Sequence, residues 1–296
     1  MELRILRYFL MVAREENITR AANLLHVTQP TLSRQLMQLE EELGVKLFCR
    51  SSHRISLTDE GLLLKRRAQE ILELAERTEK EVSRREDSLM GEIAIGCGET
   101  RNMAVLAEVM AEFRRKYPLV RFNVYTAIAD DVKERIENGL LDIGLLMEPV
   151  DISKYEFIRL PKKEEWGVLV RADSPLAQKN AVAPQDLLGT PLLMVKRELS
   201  RNEIANWFGD YYNSMEIAST YTLILNAAIM VRSGVGAALC FDIEHYYKDL
   251  RFVPFMPQLK TGAVLAWKKS QRLTPAVEEF IKDIRLYVMG ISENKI

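Results

Sequence analysis

The segment Asn17–Arg50, NITRAANLLHVTQPTLSRQLMQLEEELGVKLFCR, constrains the fold more than any other part of this 296-residue chain. It follows a helix-spaced stretch with apolar residues at Leu3, Leu6, Phe9, Leu10 and Ala13. Asn17 is placed to cap a second short helix, Ile18 to Leu25, and Thr28-Gln29-Pro30 reads as the cap and first turn of a third. Proline is tolerated there because the amide it lacks would be unpaired in any case. Leu32, Leu36, Leu39 and Leu43 form an apolar stripe, and Gly44 supplies the left-handed conformation at which helices end. KLFCRSSHRISLT then has polar Ser51-Ser52 between two short apolar pieces, the pattern of a small hairpin.

Three helices with a tight break before the third have the outline of a helix-turn-helix, whose third helix enters the DNA major groove. The leucine stripe leaves Pro30, Arg34 and Met37 facing outward, flanked by Thr31 and Ser33, with Gln29 at the leading end. Gln pairs with adenine, Ser bonds either kind of base, and Arg grips guanine or phosphate. The same outline also fits a plain three-helix bundle. Net charge does not decide between them: the whole chain carries −1, and residues 1–58 hold eight Lys/Arg against six Asp/Glu. Three of those acids, Glu40, Glu41 and Glu42, cluster at one helix end, which leaves local basic character for another face.

Thr58-Asp59-Glu60 opens a further helix with a capping hydroxyl and acids in its first turn. Its apolar positions Leu64, Ala68, Ile71, Ala75, Val82 and Leu89 fall on an a/d heptad seam, interrupted by Thr78 and Arg85. Residues 59–90 thus predict a rod of about 45 Å at about 1.5 Å per residue. Dense charge on both flanks points to a two-chain coiled coil that links and dimerises; a buried helix of one larger domain is the alternative.

After Gly91 the texture changes to short strand-like runs (EIAIG, VRFNVYT, DIGLLM, WGVLVR, PLLMV, GAALCF, GAVLAW) alternating with helical ones. The helical runs are 102–116, 131–138, 203–208, 223–232 and 275–289. Such alternation predicts a parallel-rich α/β architecture with helices on both faces, as one large domain or as two lobes with a cleft.

The sequence YFLMVAREENITRAANLLHVTQPTLSRQLMQLEEELGVKLFCR…ISLTDEG closely resembles the N-terminal domain of LysR-type transcriptional regulators. The match rests on Ala21-Ala22, Leu24 to Val27, Gln29-Pro30, Leu32-Ser33-Arg34-Gln35, Leu39-Glu40, Leu43-Gly44, Leu47-Phe48, Arg50, Leu57-Thr58 and Gly61. Later landmarks, IGCGET, EFRRKYPLVRF, IENGLLDIGLL, VLVRADSPLA, SGVGAALCF and LTPAVEEFI, extend the resemblance over the rest of the chain. It implies an α/β protein overall, with three parts. Residues 1–58 form a winged helix-turn-helix (mostly α) and 59–90 a long linker and dimerisation helix. Residues 91–296 form a two-lobed regulatory domain resembling periplasmic binding proteins, its second lobe at about 164–257.

The resemblance also implies partners: double-stranded promoter DNA, a small-molecule effector between the lobes, RNA polymerase, and further copies of the chain as a dimer or a tetramer of two dimers. Carried over by position, Gln29, Pro30 and Ser33 match base-contacting residues, and Thr31 and Arg34 lie beside the DNA. Arg50 and Arg54 match wing residues near the backbone or minor groove, and His53 stands where relatives often have arginine. A neutral histidine is the weaker phosphate partner. The effector cleft would be lined around Gly98, Thr100, Arg101, Ile128, Met147, Leu199, Thr222 and Phe241, the last at a position where relatives often have proline. Thr100 matches a hydroxyl that meets the ligand, and it equally suits a helix cap. Glu99 beside it disfavours an anionic ligand unless Arg101 or another cation compensates.

Other classes find little support. No G-x-S-x-G, H-E-x-x-H or G-x-x-x-x-G-K-[ST] motif occurs, so neither an enzyme nor a bound cofactor is expected. Gly96-Cys97-Gly98 lacks the third glycine of a dinucleotide fingerprint and fits a strand end. Cys97 near a helix N-terminus suits packing or, alternatively, a redox sensor. The cysteines, Cys49, Cys97 and Cys240, are widely spaced, and His26, His53 and His245 have no metal-like spacing. With no signal-like start and no apolar run of membrane-spanning length, a cytoplasmic protein without a membrane partner is expected.

Overall fold

The computed structural model of the chain describes residues 1–50, 55–82, 89–242, 247–269 and 271–293. It forms two compact units, Met1–Arg85 and Glu86–Ile296.

The first unit begins with α1 (Leu3–Glu15), which buries Ile5, Leu6, Phe9 and Val12. Leu3 is exposed, so the buried stripe lies one position away from the spacing expected of Leu3, Leu10 and Ala13. α2 (Ile18–Leu24) is capped as expected, the Asn17 side chain accepting from the Arg20 amide at 2.9 Å. The turn that follows is tight. His26 is held at φ 56°, in the left-handed region that only a few side chains tolerate, and the Val27 amide returns to the Ala22 carbonyl. α3 (Gln29–Leu43) buries Leu32, Leu36, Leu39 and Glu40 and stops at Gly44, φ 69°. Thr28 occupies the N-cap position, but its hydroxyl pairs with the Thr31 hydroxyl at 2.7 Å rather than with a helix amide.

A two-stranded hairpin, β1 (Phe48–Arg50) and β2 (Ile55–Leu57), pairs antiparallel with Phe48 opposite Leu57. It is fastened to α3 by Glu40, which is only 3% exposed. Glu40 Oε1 accepts from the Leu47 and Phe48 amides at 2.9 and 3.3 Å, and Oε2 meets Lys46 Nζ at 3.0 Å. Burial alone would raise the Glu40 carboxyl; the two amides and the ammonium outweigh it and hold the group below the usual carboxylate range.

α4 (Asp59–Val82) starts where the Thr58 hydroxyl accepts from the Gly61 amide at 3.0 Å. Gly61 is required by close approach: a Cβ there would lie 2.1 Å from the Leu47 carbonyl oxygen. Ala68 and Leu72 of α4 are buried in the same core as Phe9 and Leu36, with Leu64 packed against it. The helix is 24 residues long, about 36 Å. Leu89 is not part of it; that residue lies outside the helix and packs on the core of the second unit.

The second unit contains two five-stranded paths of similar plan. The first lobe comprises β3 (Gly91–Cys97), α5 (Met103–Lys116), β4 (Val120–Thr126), α6 (Ala129–Glu137), β5 (Ile143–Met147) and β6 (Tyr155–Arg159). The chain then enters the second lobe: β7 (Glu164–Arg171), β8 (Leu192–Val195), α7 (Glu198–Phe208), β9 (Ile217–Tyr221), α8 (Ile224–Arg232), β10 (Ala237–Phe241), β11 (Leu250–Pro254) and β12 (Lys260–Thr261). It returns through β13 (Ala263–Lys268) and α9 (Pro275–Glu293), which pack on the first lobe.

Strand orders are β4-β3-β5-β13-β6 and β11-β7-β10-β8-β9, with β12 beside β7. In each lobe three strands are parallel (β4, β3, β5; β9, β8, β10) and the strand next to them is antiparallel. Those antiparallel strands, β13 and β7, are the ones that carry the chain across from the other lobe. Each sheet is thus parallel-rich, as the alternation suggests, with antiparallel pairings added on one side. Both faces are covered: Ile93, Ile95 and Cys97 of β3 face α5 and α9 around Phe113 and Phe280, while Ala94 faces α6.

Candidate functional site

Two surfaces have the chemistry of recognition, one in each unit. On α3, Gln29, Pro30, Thr31 and Arg34 are exposed and Ser33 is half-buried. The buried leucines fix this orientation, since the polar positions are those left over by the 3.6-residue period. The exposed set lies on the first turn and a half, at the positive end of the helix dipole, where amides and side chains together suit phosphate and base edges. Arg50 enters the hairpin through its backbone pairing with Ile55, but its side chain, like residues His53 and Arg54, lies outside the described residues.

In the second unit a cavity of about 100 Å³ opens between the lobes at the carboxyl ends of the parallel strands. This is where ligands gather in open α/β sheets. Gly98, Ile128, Met147, Thr222 and Phe241 line it, as the sequence comparison places them. Thr100, Arg101 and Leu199 do not. The Thr100 hydroxyl accepts from the Asn102 amide at 3.1 Å and donates to Glu164, so it is occupied as a cap. Arg101 Nη1 is paired with Asp242 at 2.9 Å, and Leu199 is solvent-exposed.

The lobes meet through carboxylates and the guanidiniums of Arg101 and Arg197. Glu164, 2% exposed at the start of β7, accepts through Oε1 from the Asn102 backbone amide (3.0 Å) and side-chain amide (2.6 Å) as well as from Thr100. It thereby holds the N-terminus of α5 in the other lobe. In the opposite direction, Glu99 Oε2 of the first lobe accepts from the Leu225 amide at 3.3 Å, in the first turn of α8. Leu223, at the N-cap position of α8, has no side-chain acceptor of its own to do this. Arg197, 7% exposed, reaches from the start of α7 to the Pro149 carbonyl (2.7 Å), the Met147 carbonyl (3.3 Å) and Ser200 (3.4 Å); its Nε lies 3.5 Å from Asp130.

Glu99, Trp166, Arg197, Ser200, Tyr221 and Cys240 also line the cavity. None belongs to a local motif, and only Glu99 had a sequence signal, as an acid one residue before the expected hydroxyl. Trp166 and Phe241 form one wall, ring centroids 4.1 Å apart. Tyr221 donates to the Leu239 carbonyl at 2.6 Å, and burial, with Cys240 and Glu99 nearby, pushes its hydroxyl well up. Burial also raises the Cys97 and Cys240 thiols. Both therefore stay protonated at neutral pH, the opposite of the lowered thiol that redox sensing uses. Among the described residues no cluster of His, Cys, Asp and Glu could hold a metal, and no helix there is long and apolar enough to cross a membrane.

A winged helix-turn-helix joined to a two-lobed α/β domain with an interlobe cavity defines a ligand-responsive, DNA-binding regulator rather than an enzyme. The family models agree: residues 3–62 match the regulatory helix-turn-helix of the lysR family, and residues 86–286 match the LysR substrate binding domain. The chain belongs to the LysR family of transcriptional regulators. It is 31% identical to the Hca operon transcriptional activator HcaR of Escherichia coli, over 95% of this chain and 96% of that protein. It is 30% identical to the hydrogen peroxide-inducible genes activator of Dickeya chrysanthemi, covering 96% and 95%. The fold matches the crystal structure of CbnR, a LysR family transcriptional regulator, at a TM-score of 0.76 and 21% identity, covering 97% of this chain and 99% of that one.

Proposed function

We propose that Gln29, Pro30, Thr31, Ser33 and Arg34, with wing residues Arg50, His53 and Arg54, contact promoter DNA, and that the interlobe cavity receives the effector. What carries the reading is one chain bearing both an exposed polar helix end and a mostly apolar cavity at strand carboxyl ends. Binding in the cavity biases the relative arrangement of the lobes, and through the oligomer it changes how two recognition helices are spaced.

The dimerising face of α4 follows from its burial pattern. Leu64 and Ala68 of the expected seam are spent on the core with α1, Ala75 is half-buried, Leu89 is outside the helix, and the Val82 side chain lies outside the described residues. Ile71 remains exposed, together with Leu63 and Leu74. At about 100° per residue, these three lie within one stripe beside the α1-facing side. Leu63, Ile71 and Leu74 are therefore the proposed contact with a second copy. The dimer assembles further into a tetramer, acts in the cytoplasm and engages RNA polymerase at the promoter.

Gel-shift titrations on the DNA upstream of the gene, at several salt concentrations, test the first part. Gln29→Ala should relax base preference by about 1–3 kcal/mol for a lost base contact. Arg34→Ala should weaken binding more uniformly and flatten the salt dependence if its partner is phosphate. Unchanged affinity in both variants removes α3 from the interface.

A further inference from the structure

We infer that the cavity selects a small ligand whose polar end donates hydrogen bonds, an amine above all, and that it rejects carboxylates because Glu99 already supplies the negative charge there. This rests on the cavity being the effector site. The α8 N-terminus would be the natural seat for an anion at this end of the cleft, since its first amides point outward unpaired. In this chain that seat is taken: Glu99 Oε2 receives the Leu225 amide at 3.3 Å, and no polar residue of the α8 cap itself competes for it. A ligand carboxylate placed there would meet Glu99 as a like charge.

Among the described residues, the two guanidiniums that bridge the lobes each have a carboxylate of their own. Arg101 is bound to Asp242 at 2.9 Å and does not line the cavity. Arg197 does line it; its Nη atoms are turned to the Met147 and Pro149 carbonyls and to Ser200, and its buried Nε makes no hydrogen bond among the described residues but lies 3.5 Å from Asp130, whose charge offsets its own. The second oxygen of Glu99, Oε1, carries no hydrogen bond among the described residues, so it remains an acceptor for a ligand donor. The rest of the wall, Trp166, Phe241, Ile128 and Met147, is apolar. A volume of about 100 Å³, below the roughly 150 Å³ of an apolar cavity that holds benzene, suits a short chain, or a small ring only partly enclosed. The ligand chemistry is thus a small apolar body with a donor head.

Two matched sets of probes that differ only at the head test this on the full-length protein: benzylamine, benzyl alcohol and benzoate, and butylamine, butanol and butyrate. Ligand-observed NMR titration at neutral pH measures each affinity. In the wild type the amine of at least one set should bind at least tenfold more tightly than its acid. Glu99→Gln, which keeps shape and removes charge, should erase or invert that ratio. Ile128→Trp, or Met147→Trp if the first variant does not fold, should abolish binding by filling the cavity. Acids that bind as tightly as amines, with binding lost on filling, overturn the charge selection while leaving the cavity as the effector site. Binding that survives filling overturns the cavity reading itself. No binding by any probe overturns the inference.

Discussion

The two units solve the same problem, fixing a buried carboxylate, at very different sequence distances. In the first, Glu40 accepts from Leu47 and Phe48, seven and eight residues along the chain. In the second, Glu164 accepts from Asn102, 62 residues before it, and Glu99 from Leu225, 126 residues after it. The first device fastens a hairpin to the helix that precedes it. The second and third fasten one lobe to the other, and they are unequal: Glu164 is buried and receives three donors, whereas Glu99 is half-exposed and receives one long bond. A buried carboxylate held by three donors is a structural pin. A half-exposed, partly used one at a cavity wall is positioned to exchange its partner for a ligand. The difference teaches that the lobes are held rigidly at the α5 end of the cleft and loosely at the α8 end.

The largest effect is expected from Glu164→Ala, which strands the Asn102 amides and the Thr100 hydroxyl in a dry site. It should cost about 3 kcal/mol in chemical denaturation, with hydrogen exchange accelerated at the start of α5 and unchanged in α3. A loss below about 0.5 kcal/mol would mean that water replaces the carboxylate there and that the site is not a pin.

Glu40→Ala should cost somewhat less, about 2 kcal/mol at neutral pH, since one of its partners, Lys46, is a surface ammonium. The pH dependence has a definite sign. The folded carboxyl lies below its unfolded value, so the stabilisation is fully present above the unfolded pKa, roughly 4.3, and is lost as pH falls through the folded value. The gap between wild type and variant, followed by denaturant titration, should be constant from pH 7 to about 5 and close in more acidic solution. A gap that widens in acid would contradict the arrangement.

Smallest is Thr100→Val, expected to cost about 1 kcal/mol through the lost cap and the lost donor to Glu164. Because Thr100 does not line the cavity, calorimetry with any cavity ligand should give the same affinity as wild type. A clear drop in affinity would return Thr100 to the ligand site and blur the distinction between the two ends of the cleft.

Much of the first unit was legible because its signals are local. Asn17 as a cap, Gly44 as a left-handed stop, the buried stripe of α3 from Leu32 to Leu39 and the exposed end from Gln29 to Arg34 all follow from spacings within a turn or two; Leu43, expected in that stripe, is exposed because it sits in the last turn beyond the core. The seam of α4 was read less well. Leu64 and Ala68 have heptad spacing, but spacing names a face without naming its partner, and α1 of the same chain occupies that face.

By itself, then, the sequence determined the three-helix recognition unit, the alternation that makes two α/β lobes, and the family to which both belong. It also determined five cleft positions, Gly98, Ile128, Met147, Thr222 and Phe241, each at the end of a strand or the start of a helix. Only the tertiary structure decided that Thr100 and Arg101 turn away from the cavity, that Arg197 and Trp166 enter it, and that Glu99 caps a helix of the opposite lobe. The physical reason is that secondary structure is set by neighbours a few residues apart, whereas an interlobe contact depends on two backbone crossings that place residues 48 to 126 positions apart within hydrogen-bonding distance.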